Sequence, residues 1–337
     1  MLRFNSIAPV TALGAWLLSA ASVCSAVNVP TQPVAPVREV SETFHGVTLN
    51  DPYRHLEKVR TPESKAWYQA QGEYTRAQLD KIAGREGLER RITELTSAAG
   101  DAVYGITRMP GNTFFYLKRP KGERQFKLAM RVGLTGTERI LVDPEVDAKR
   151  TGVPHAINYY RPSWDSKYVA YGLSAGGSED ASLHILDVAR AKDLSETFPR
   201  VHESMIGWLP DSRSLTFNQL KAPTPGESYT EAYLDSRVVW HTVGQATDKA
   251  KPVFGPTVTK DLGLARLDVG SITFAPDSPW MVARTTDTTL PEGFLFVAPI
   301  ADLGKPSIQW TKISGYQDKI TDIELRGNEL FFMTHTN

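Results

Sequence analysis

The chain has 337 residues, of which 41% are hydrophobic and 23% are charged. Its 38 basic and 38 acidic side chains give a formal net charge of zero, which argues against a nucleic-acid binder because such proteins need a basic surface. The length is enough for two domains or for one large β-rich domain. The 22 prolines and 25 glycines are spread along the chain, which is typical of many short strands joined by turns.

Residues 1–26 have the pattern of a secretory signal peptide. Arg3 supplies a positive charge, Ile7 to Val23 form a mostly apolar core, and Cys24-Ser25-Ala26 offer a small-residue cleavage site. A membrane anchor is the alternative, but proline, threonine and glycine interrupt the core, which is also short for a span. We therefore expect a secreted or periplasmic protein with no stable membrane span after cleavage.

The single cysteine, Cys24, lies inside this segment. A lipid-anchored cysteine is an alternative, although Val23 stands where a small residue would be expected. After cleavage at Ala26 the mature chain would hold no cysteine. We therefore expect no disulfide, no thiol nucleophile and no thiolate metal site, even in an oxidising compartment.

Residues 27–100 are predicted to form a short, mainly helical extension. A proline-containing lead-in, Val27 to Val40, precedes one strand at Thr43–Leu49 and a turn at Asn50-Asp51-Pro52. A helix then starts at Thr61-Pro62-Glu63, where threonine can cap and proline can take the first helical position.

Apolar spacing extends this helical prediction. Trp67 and Tyr74 recur at helical intervals and are expected to pack in a core, and Gly84 supplies a stop. A second helix is predicted at about Glu86 to Thr96, where an apolar stripe repeats.

Residues 101–337 change to the period of strands. Five apolar runs begin 55, 46, 66 and 50 residues apart. They are Thr113–Leu117, Tyr168–Tyr171, Ser214–Phe217, Trp280–Ala283 and Leu330–Met333. Further strand candidates are Lys127–Val132, Arg139–Val142, His184–Val188, Ser236–Val243 and Gly293–Pro299. A repeat of this size with several short strands per unit predicts a mainly β fold, a β-propeller.

The clearest copy of the repeat is Tyr160–Val188. It is predicted to hold a turn at Pro162–Lys167, a strand, a Gly/Ser turn at Gly172–Asp180 and a second strand. The longest interval between runs contains an insertion, Ala222 to Tyr229, expected to be a loop on one face. A β-sandwich is the alternative fold, but it would show shorter units without a recurring Asp-Ser turn.

Asp165, Asp211 and Asp277 each precede a serine in the turns of this repeat. A carboxylate cluster is one interpretation of these residues. We favour a turn role, because an aspartate side chain can bind backbone amides two residues on.

Gly172-Leu173-Ser174-Ala175-Gly176 matches the G-x-S-x-G pattern of a serine-hydrolase elbow. That elbow needs a helix directly after the serine, to supply amides and a dipole to an oxyanion. The residues that follow predict a turn and another strand instead. We therefore predict that Ser174 is structural, and keep a small hydrolase using Ser174 as an alternative.

No other pattern in the chain predicts a catalytic, cofactor-binding or metal site. The histidines are dispersed and show no H-E-x-x-H spacing. They are His45, His55, His155, His184, His202, His241 and His335. Gly176-Gly177 lacks the frame of a phosphate-binding loop, and tryptophans at 164, 208, 240 and 280 are expected to be core residues.

Four separated motifs resemble prolyl oligopeptidases and occur in that family's order. They are Asp51-Pro52-Tyr53-Arg54-His55-Leu56-Glu57 with Lys65-Ala66-Trp67 and Gln71; Phe114-Phe115-Tyr116 leading to Leu141-Val142-Asp143-Pro144; Tyr168-Val169-Ala170-Tyr171 followed by Ser174-Ala175-Gly176-Gly177-Ser178; and Val239-Trp240-His241-Thr242-Val243-Gly244. The resemblance covers Val37 to Asn337. His55 departs from it, since the family usually has tryptophan there, which puts local packing in doubt.

The resemblance implies a seven-bladed propeller that caps an α/β-hydrolase domain. Residues 27–100 would pack on that domain, and residues 101–337 would form an incomplete propeller with about five blades begun. The catalytic serine, aspartate and histidine would lie downstream, so the chain is expected to be an N-terminal fragment that is inactive alone. The whole enzyme would be a serine-type endopeptidase that cleaves short peptides after proline, with the propeller as a size filter.

Two further alternatives stay open. One is a stand-alone secreted propeller that binds a partner without catalysis, with Ala222–Tyr229 as a binding loop. A propeller that stops in its fifth unit would leave strand edges unpaired, which argues against that alternative. The other is a truncated remnant without function.

Overall fold

The computed structural model describes residues 31–59, 61–202, 205–225, 227, 229–287 and 289–336. The predicted signal peptide, with Cys24, lies outside the described residues, and so do two positions of the predicted 222–229 insertion. The chain divides into two compact units, the first ending at Arg85 and the second starting at Glu86.

The first unit contains a hairpin and a helix. Strands β1 (Val40–Phe44) and β2 (Val47–Asp51) pair in antiparallel register. The prediction of one strand at Thr43–Leu49 is wrong, because that range joins two strands. The turn predicted at Asn50-Asp51-Pro52 lies at Pro52-Tyr53, where Asp51 Oδ1 accepts the Tyr53 N–H at 2.9 Å. The chain reverses at His45-Gly46, where Gly46 adopts φ 82°, a conformation that glycine takes without a steric penalty.

The apolar side chains of the hairpin lie on one face, which also carries Glu42 and Asp51. Val40, Phe44, Val47 and Leu49 project from the same face and are exposed. On the other face, Ser41 Oγ donates to Asn50 Oδ1 at 2.7 Å, and the Thr43 and Thr48 hydroxyls lie 3.1 Å apart.

Helix α1 spans Pro62–Leu79 and confirms the predicted start. The Thr61 Oγ1 accepts a hydrogen bond from the Ser64 backbone N–H at 3.2 Å, and Pro62 occupies the first helical position. Helix α2 (Arg85–Ala98) begins at the division between units. Its predicted apolar stripe, Leu88, Ile92 and Leu95, is exposed.

The rest of the second unit consists mainly of successive antiparallel sheets. Sheet 1 contains β3 (Ala102–Met109), β4 (Thr113–Arg119), β5 (Lys127–Val132) and β6 (Arg139–Val142). Sheet 2 contains β7 (His155–Pro162), β8 (Tyr168–Ala175), β9 (Ser182–Asp187) and β10 (Lys192–Phe198). Sheet 3 contains β11 (Ile206–Trp208), β12 (Ser214–Gln219), β13 (Arg237–Thr242) and β14 (Lys251–Phe254).

Sheet 4 contains β15 (Val269–Phe274), β16 (Trp280–Thr286), β17 (Leu295–Pro299) and β18 (Thr311–Ser314). Sheet 5 contains β19 (Ile320–Arg326) and β20 (Glu329–Thr334). Short 3-10 turns lie at Arg54–Glu57, Pro110–Asn112, Tyr229–Tyr233, Thr247–Lys249, Lys260–Leu262, Ile300–Asp302 and Tyr316–Asp318. In the described residues, each sheet pairs its strands in chain order, as predicted for propeller blades.

Apolar layers join each sheet to the next. Phe115 and Leu117 of sheet 1 pack with Val169 and Tyr171 of sheet 2. Leu183 and Ile185 of sheet 2, in turn, share a cluster with Leu215 and Phe217 of sheet 3. Further clusters join sheets 3 and 4 and sheets 4 and 5. The alternation of side chains along each central strand therefore supplies one apolar face to each neighbouring sheet.

Two details of the second unit differ from expectation. The predicted Gly/Ser turn at Gly172–Asp180 starts too early, because β8 continues to Ala175 and the chain reverses at Gly176-Gly177, with φ 66° and 74°. Helix α3 (Pro144–Thr151) was not predicted. Asp143 caps it by accepting the Glu145 N–H at 3.0 Å, the same cap-and-proline arrangement that starts α1.

Within the part of the chain that the structure describes, no helix is both long enough and apolar enough to span a bilayer.

Candidate functional site

Ser174 lies in β8, where its backbone is paired with Ala156 of β7. The residue is buried, at 5% exposure. The next elements are the Gly176-Gly177 turn and β9, which continue the antiparallel sheet. Ser174 therefore lacks the exposed strand-to-helix turn on which a nucleophile elbow depends.

The nearest histidines in the sheet register project from the opposite face of sheet 2. His155 is paired with Ala175, and His184 is paired with Tyr171, whereas Ser174 alternates with those residues along β8. A histidine base on the face of Ser174 is thus not supplied by either neighbouring strand. That Ser174 is structural, and that the chain holds no catalytic residue, stay predictions.

The turn aspartates do not share one role. The Asp211 Oδ1 accepts the Arg213 and Ser214 backbone N–H groups at 2.8 and 2.7 Å, and Asp165 Oδ1 accepts the Lys167 N–H at 3.1 Å. In sheet 4 the Ser278 hydroxyl oxygen replaces the carboxylate by accepting the Trp280 N–H at 3.1 Å. Each turn belongs to a different sheet, so the aspartates act locally.

Tryptophans join sheets 2 and 3 by reciprocal hydrogen bonds. The indole N–H of Trp164 donates to the Trp208 carbonyl at 2.9 Å, and that of Trp208 donates to the Arg161 carbonyl at 3.0 Å. The Asp165 N–H also donates to Ser212 Oγ at 3.2 Å. Trp280 makes a comparable link from sheet 4 to sheet 5, with its indole N–H 2.9 Å from Asn328 Oδ1.

A half-buried titratable cluster in sheet 2 was not predicted. The Tyr171 hydroxyl donates to Asp193 Oδ2 at 2.8 Å, and His184 Nδ1 lies 3.8 Å from the same oxygen. Burial raises the pKa of the Asp193 carboxyl and lowers the pKa of the His184 imidazole. Asp193 lies on β10, an edge strand whose polar sequence gives little strand signal, so sequence reasoning had no basis for this grouping.

A second unpredicted pair lies between sheets 2 and 3. The His241 ring is fully buried, and its Nε2 is 3.8 Å from Glu196 Oε1 of β10. Glu196 Oε1 also accepts the Gly244 N–H at 2.6 Å. The strand position of His241 was predicted, but its acidic neighbour is 45 residues away in the sequence and on another sheet.

Ion pairs hold the end of the β12–β13 connection. Arg266 Nη2 lies 2.8 Å from both Glu231 Oε2 and Asp235 Oδ2, and Asp235 N–H donates to the Arg266 carbonyl at 2.7 Å. A separate pair joins His202 and Asp180, with His202 Nε2 2.9 Å from Asp180 Oδ1. The Arg266 ion pairs therefore hold the segment that directly follows the predicted insertion.

The remaining histidines are placed separately. His45 lies in the hairpin turn, and His335 follows β20. The His55 ring nitrogens, in the first unit, are buried without a hydrogen-bond partner among the described residues. Within the described ranges, no three histidine, cysteine, aspartate or glutamate side chains are grouped closely enough to hold a metal ion.

Comparison with known families decides the assignment. The family model described as "Prolyl oligopeptidase, N-terminal beta-propeller domain" matches residues 32–337. The chain belongs to this family. The predicted resemblance is confirmed, and the succession of sheets belongs to the propeller domain of prolyl-oligopeptidase-like proteins.

Relatives of the prolyl oligopeptidase family match over most of this chain. The prolyl endopeptidase of Elizabethkingia meningoseptica is 24% identical over 257 residues, which cover 75% of this chain and 35% of that protein. Prolyl oligopeptidase A of Galerina marginata is 25% identical over 318 residues, covering 85% of this chain and 41% of that protein. The chain thus spans about two fifths of the length of these relatives.

Solved structures agree with the fold. One of two prolyl endopeptidases studied together superposes with a TM-score of 0.70 at 25% identity, covering 85% of this chain and 40% of the other. Prolyl oligopeptidase B of Galerina marginata, bound to a 35mer substrate, gives a TM-score of 0.66 at 18% identity over 89% of this chain and 43% of the other. At that identity the second likeness concerns the fold alone.

Proposed function

We propose that this chain forms the N-terminal extension and first blades of a secreted or periplasmic serine peptidase of the prolyl oligopeptidase type. The family match over residues 32–337 carries this proposal, together with the fraction of the relatives that the chain spans. Catalysis would be supplied by a hydrolase domain in the remaining part of the polypeptide. There a serine nucleophile, a histidine base and an orienting aspartate would form and hydrolyse an acyl-enzyme.

Within this chain the proposed roles are cover and substrate admission. The propeller would admit short proline-containing peptides and exclude folded proteins. Support comes from the apolar layers between successive sheets. Their side chains hold the blades together and are packing residues, not reactive groups.

The proposed partner of this chain is the hydrolase domain itself. Support comes from two apolar surfaces that are exposed in the chain, the hairpin face around Phe44 and Leu49 and the α2 stripe around Leu88 and Ile92. Exposed apolar patches of this kind usually mark binding surfaces.

An activity assay tests where catalysis resides. We expect the purified chain to release no p-nitroaniline from a proline p-nitroanilide peptide, and Ser174→Ala to leave that result unchanged. Hydrolysis that disappears in the Ser174→Ala variant would contradict the proposal and favour a small hydrolase.

Translation of the nucleotides that follow the Asn337 codon tests the second half of the proposal. We expect the reading frame to encode a hydrolase domain with a G-x-S-x-G motif followed by a helix. The absence of such a motif in every frame would favour a binding propeller or a remnant.

A further inference from the structure

The contact between sheets 2 and 3 contains an acid and a base that the proposed function does not use. His241 on β13 is 0% exposed at its side chain, and Glu196 on β10 is 5% exposed. Neither His241 ring nitrogen has a hydrogen-bond partner among the described residues. Two unpaired ring nitrogens in an apolar layer are costly, so this arrangement requires an explanation.

The backbone of β10 directs Glu196 toward sheet 3. The pairing of β10 with β9 shifts register between Asp193 and Thr197, and Glu196 lies inside that irregularity. A bulge of this kind redirects side chains away from the ordinary alternation. The Glu196 carboxylate consequently accepts a hydrogen bond from the Gly244 N–H, just after β13 of sheet 3, at 2.6 Å.

The other neighbours of His241 are apolar. The Phe198 ring contacts His241 edge-on, with ring centroids 4.9 Å apart, and Leu215 is its paired residue on β12. Phe198 and Leu215 are both buried. The charged residues of the adjacent turn, Asp248 and Lys249, are exposed, so Glu196 is the charged group that faces the ring in the described part of the chain.

Burial lowers the pKa of His241 below its ordinary value of 6.5, and the Glu196 charge only partly opposes this effect. The 3.8 Å separation of the two groups exceeds hydrogen-bond range, which is consistent with a neutral ring. Charging the ring would therefore place a cation in the apolar layer with only the Glu196 carboxylate, 3.8 Å away, to offset its desolvation, unless the packing of the two sheets rearranges or admits water.

We propose that His241 and Glu196 form a proton-sensitive joint, which loosens the packing of sheet 2 against sheet 3 when the pH falls below neutrality.

The direction follows from proton linkage. In the open joint His241 would titrate near 6.5, whereas in the closed joint it takes up a proton only at lower pH. Since the open state binds more protons, its population rises as pH falls through this interval. One proton changes the opening equilibrium by at most about tenfold per pH unit.

Amide hydrogen exchange on the full chain at pH 7.5 and pH 5.5, corrected for intrinsic exchange rates, tests the joint. We expect peptides from β10 and β13 to open more at pH 5.5, by up to about tenfold per pH unit below 6.5. Peptides from β4 and β5 of sheet 1 should change less. The His241→Gln variant should lose the pH effect in the β13 peptides, while His45→Gln, which alters an exposed histidine in the hairpin turn, should retain it.

Equal opening of sheet 1, or an unchanged pH effect in His241→Gln, would overturn the proposal. A second measurement covers the case in which that variant does not fold. Exchange of the imidazole C2 proton, followed by mass spectrometry, should give His241 a titration midpoint below the ordinary value of 6.5. In Glu196→Gln that midpoint should fall further, because the opposing carboxylate charge is removed; a midpoint that does not move would reject the assigned pairing.

Discussion

The Asp211 carboxylate ties the turn before β12 to the strand that follows it. It accepts two successive backbone N–H groups, from Arg213 and Ser214. In the described part of the chain, the equivalent Asp277 carboxylate accepts no hydrogen bond. The Ser278 hydroxyl oxygen accepts the Trp280 N–H instead. Two residues with the same sequence signature therefore differ in what they stabilise.

We expect Asp211→Ala to lower the free energy of unfolding by about 1 kcal/mol, because two turn amides lose their acceptor. Asp277→Ala is the matched control and should cost less. Urea denaturation followed by tryptophan fluorescence measures both. An equal loss in the two variants would indicate that the Asp211 hydrogen bonds contribute nothing net.

Ser174 illustrates why residue letters alone do not identify a catalytic site. Its pentapeptide matches an elbow, yet the residues on either side build the end of β8 and a two-glycine turn. The alternation after Gly177 was enough to predict this context. Alternation along β8 places the serine on the same face as Ala170, which packs toward sheet 3, and no local pattern predicts its burial.

At the scale of elements, the reciprocal tryptophan hydrogen bonds make sheets 2 and 3 a coupled pair. Trp164 and Trp208 each satisfy a carbonyl on the other sheet. The indole N–H of Trp310, by contrast, is buried without a partner in the described part of the chain. Trp310→Phe therefore measures the loss of buried ring area alone, whereas Trp164→Phe and Trp208→Phe also remove a hydrogen bond.

We expect Trp164→Phe and Trp208→Phe each to destabilise the chain by about 1 kcal/mol more than Trp310→Phe, since each of the first two leaves a carbonyl unpaired. The double variant should show a coupling energy of about 0.5 kcal/mol or more, because the two bonds lie across one joint. Additive losses in a double-mutant cycle would contradict the coupling. An equal loss in Trp310→Phe would show that the two hydrogen bonds contribute nothing net.

Central strands were more predictable than the edge strands β10 and β14, although the edge strand β6 was predicted as well. The predicted bounds of β5 and β6 are those of the structure, since apolar and β-branched residues dominate both. β10 and β14 went unpredicted because an outer strand is partly solvated and its sequence loses the alternation. The hairpin was misassigned because the His45-Gly46 reversal lies inside an apolar run.

The fold class and the family could be predicted because the recurring turn and the ordered motifs can be recognised in a single sequence. The side-chain contacts between sheets cannot be recognised in this way. Glu196 and His241 come together only through a β-bulge and the packing of two sheets. The spacing of these two residues in the sequence does not predict their contact.

At the scale of the whole chain, sheet 5 stands apart from the other four. It has two strands in the described residues, and β20 exposes Phe331, Phe332 and Met333 at 53, 57 and 62%. An unpaired, apolar strand edge is a site for pairing with another chain.

We therefore expect the chain expressed alone to associate in a concentration-dependent way. The double variant Phe331→Lys, Met333→Lys should shift it toward monomer, because charge on the edge opposes strand pairing. Val146→Lys, a substitution at an exposed apolar residue of α3, is the control and should not. Light scattering after size exclusion gives the mass, and a monodisperse, cooperatively melting wild-type monomer would instead favour a stand-alone binding propeller.

The joints between sheets have a consequence for synthesis. Trp164 and Trp208 are 44 residues apart, Glu196 and Gly244 are 48, and Trp280 and Asn328 are 48. Within the described residues of the second unit, no side-chain hydrogen bond spans more than 55 positions. Each sheet can therefore form these hydrogen bonds as soon as the following sheet leaves the ribosome, so the unit can fold sheet by sheet during synthesis.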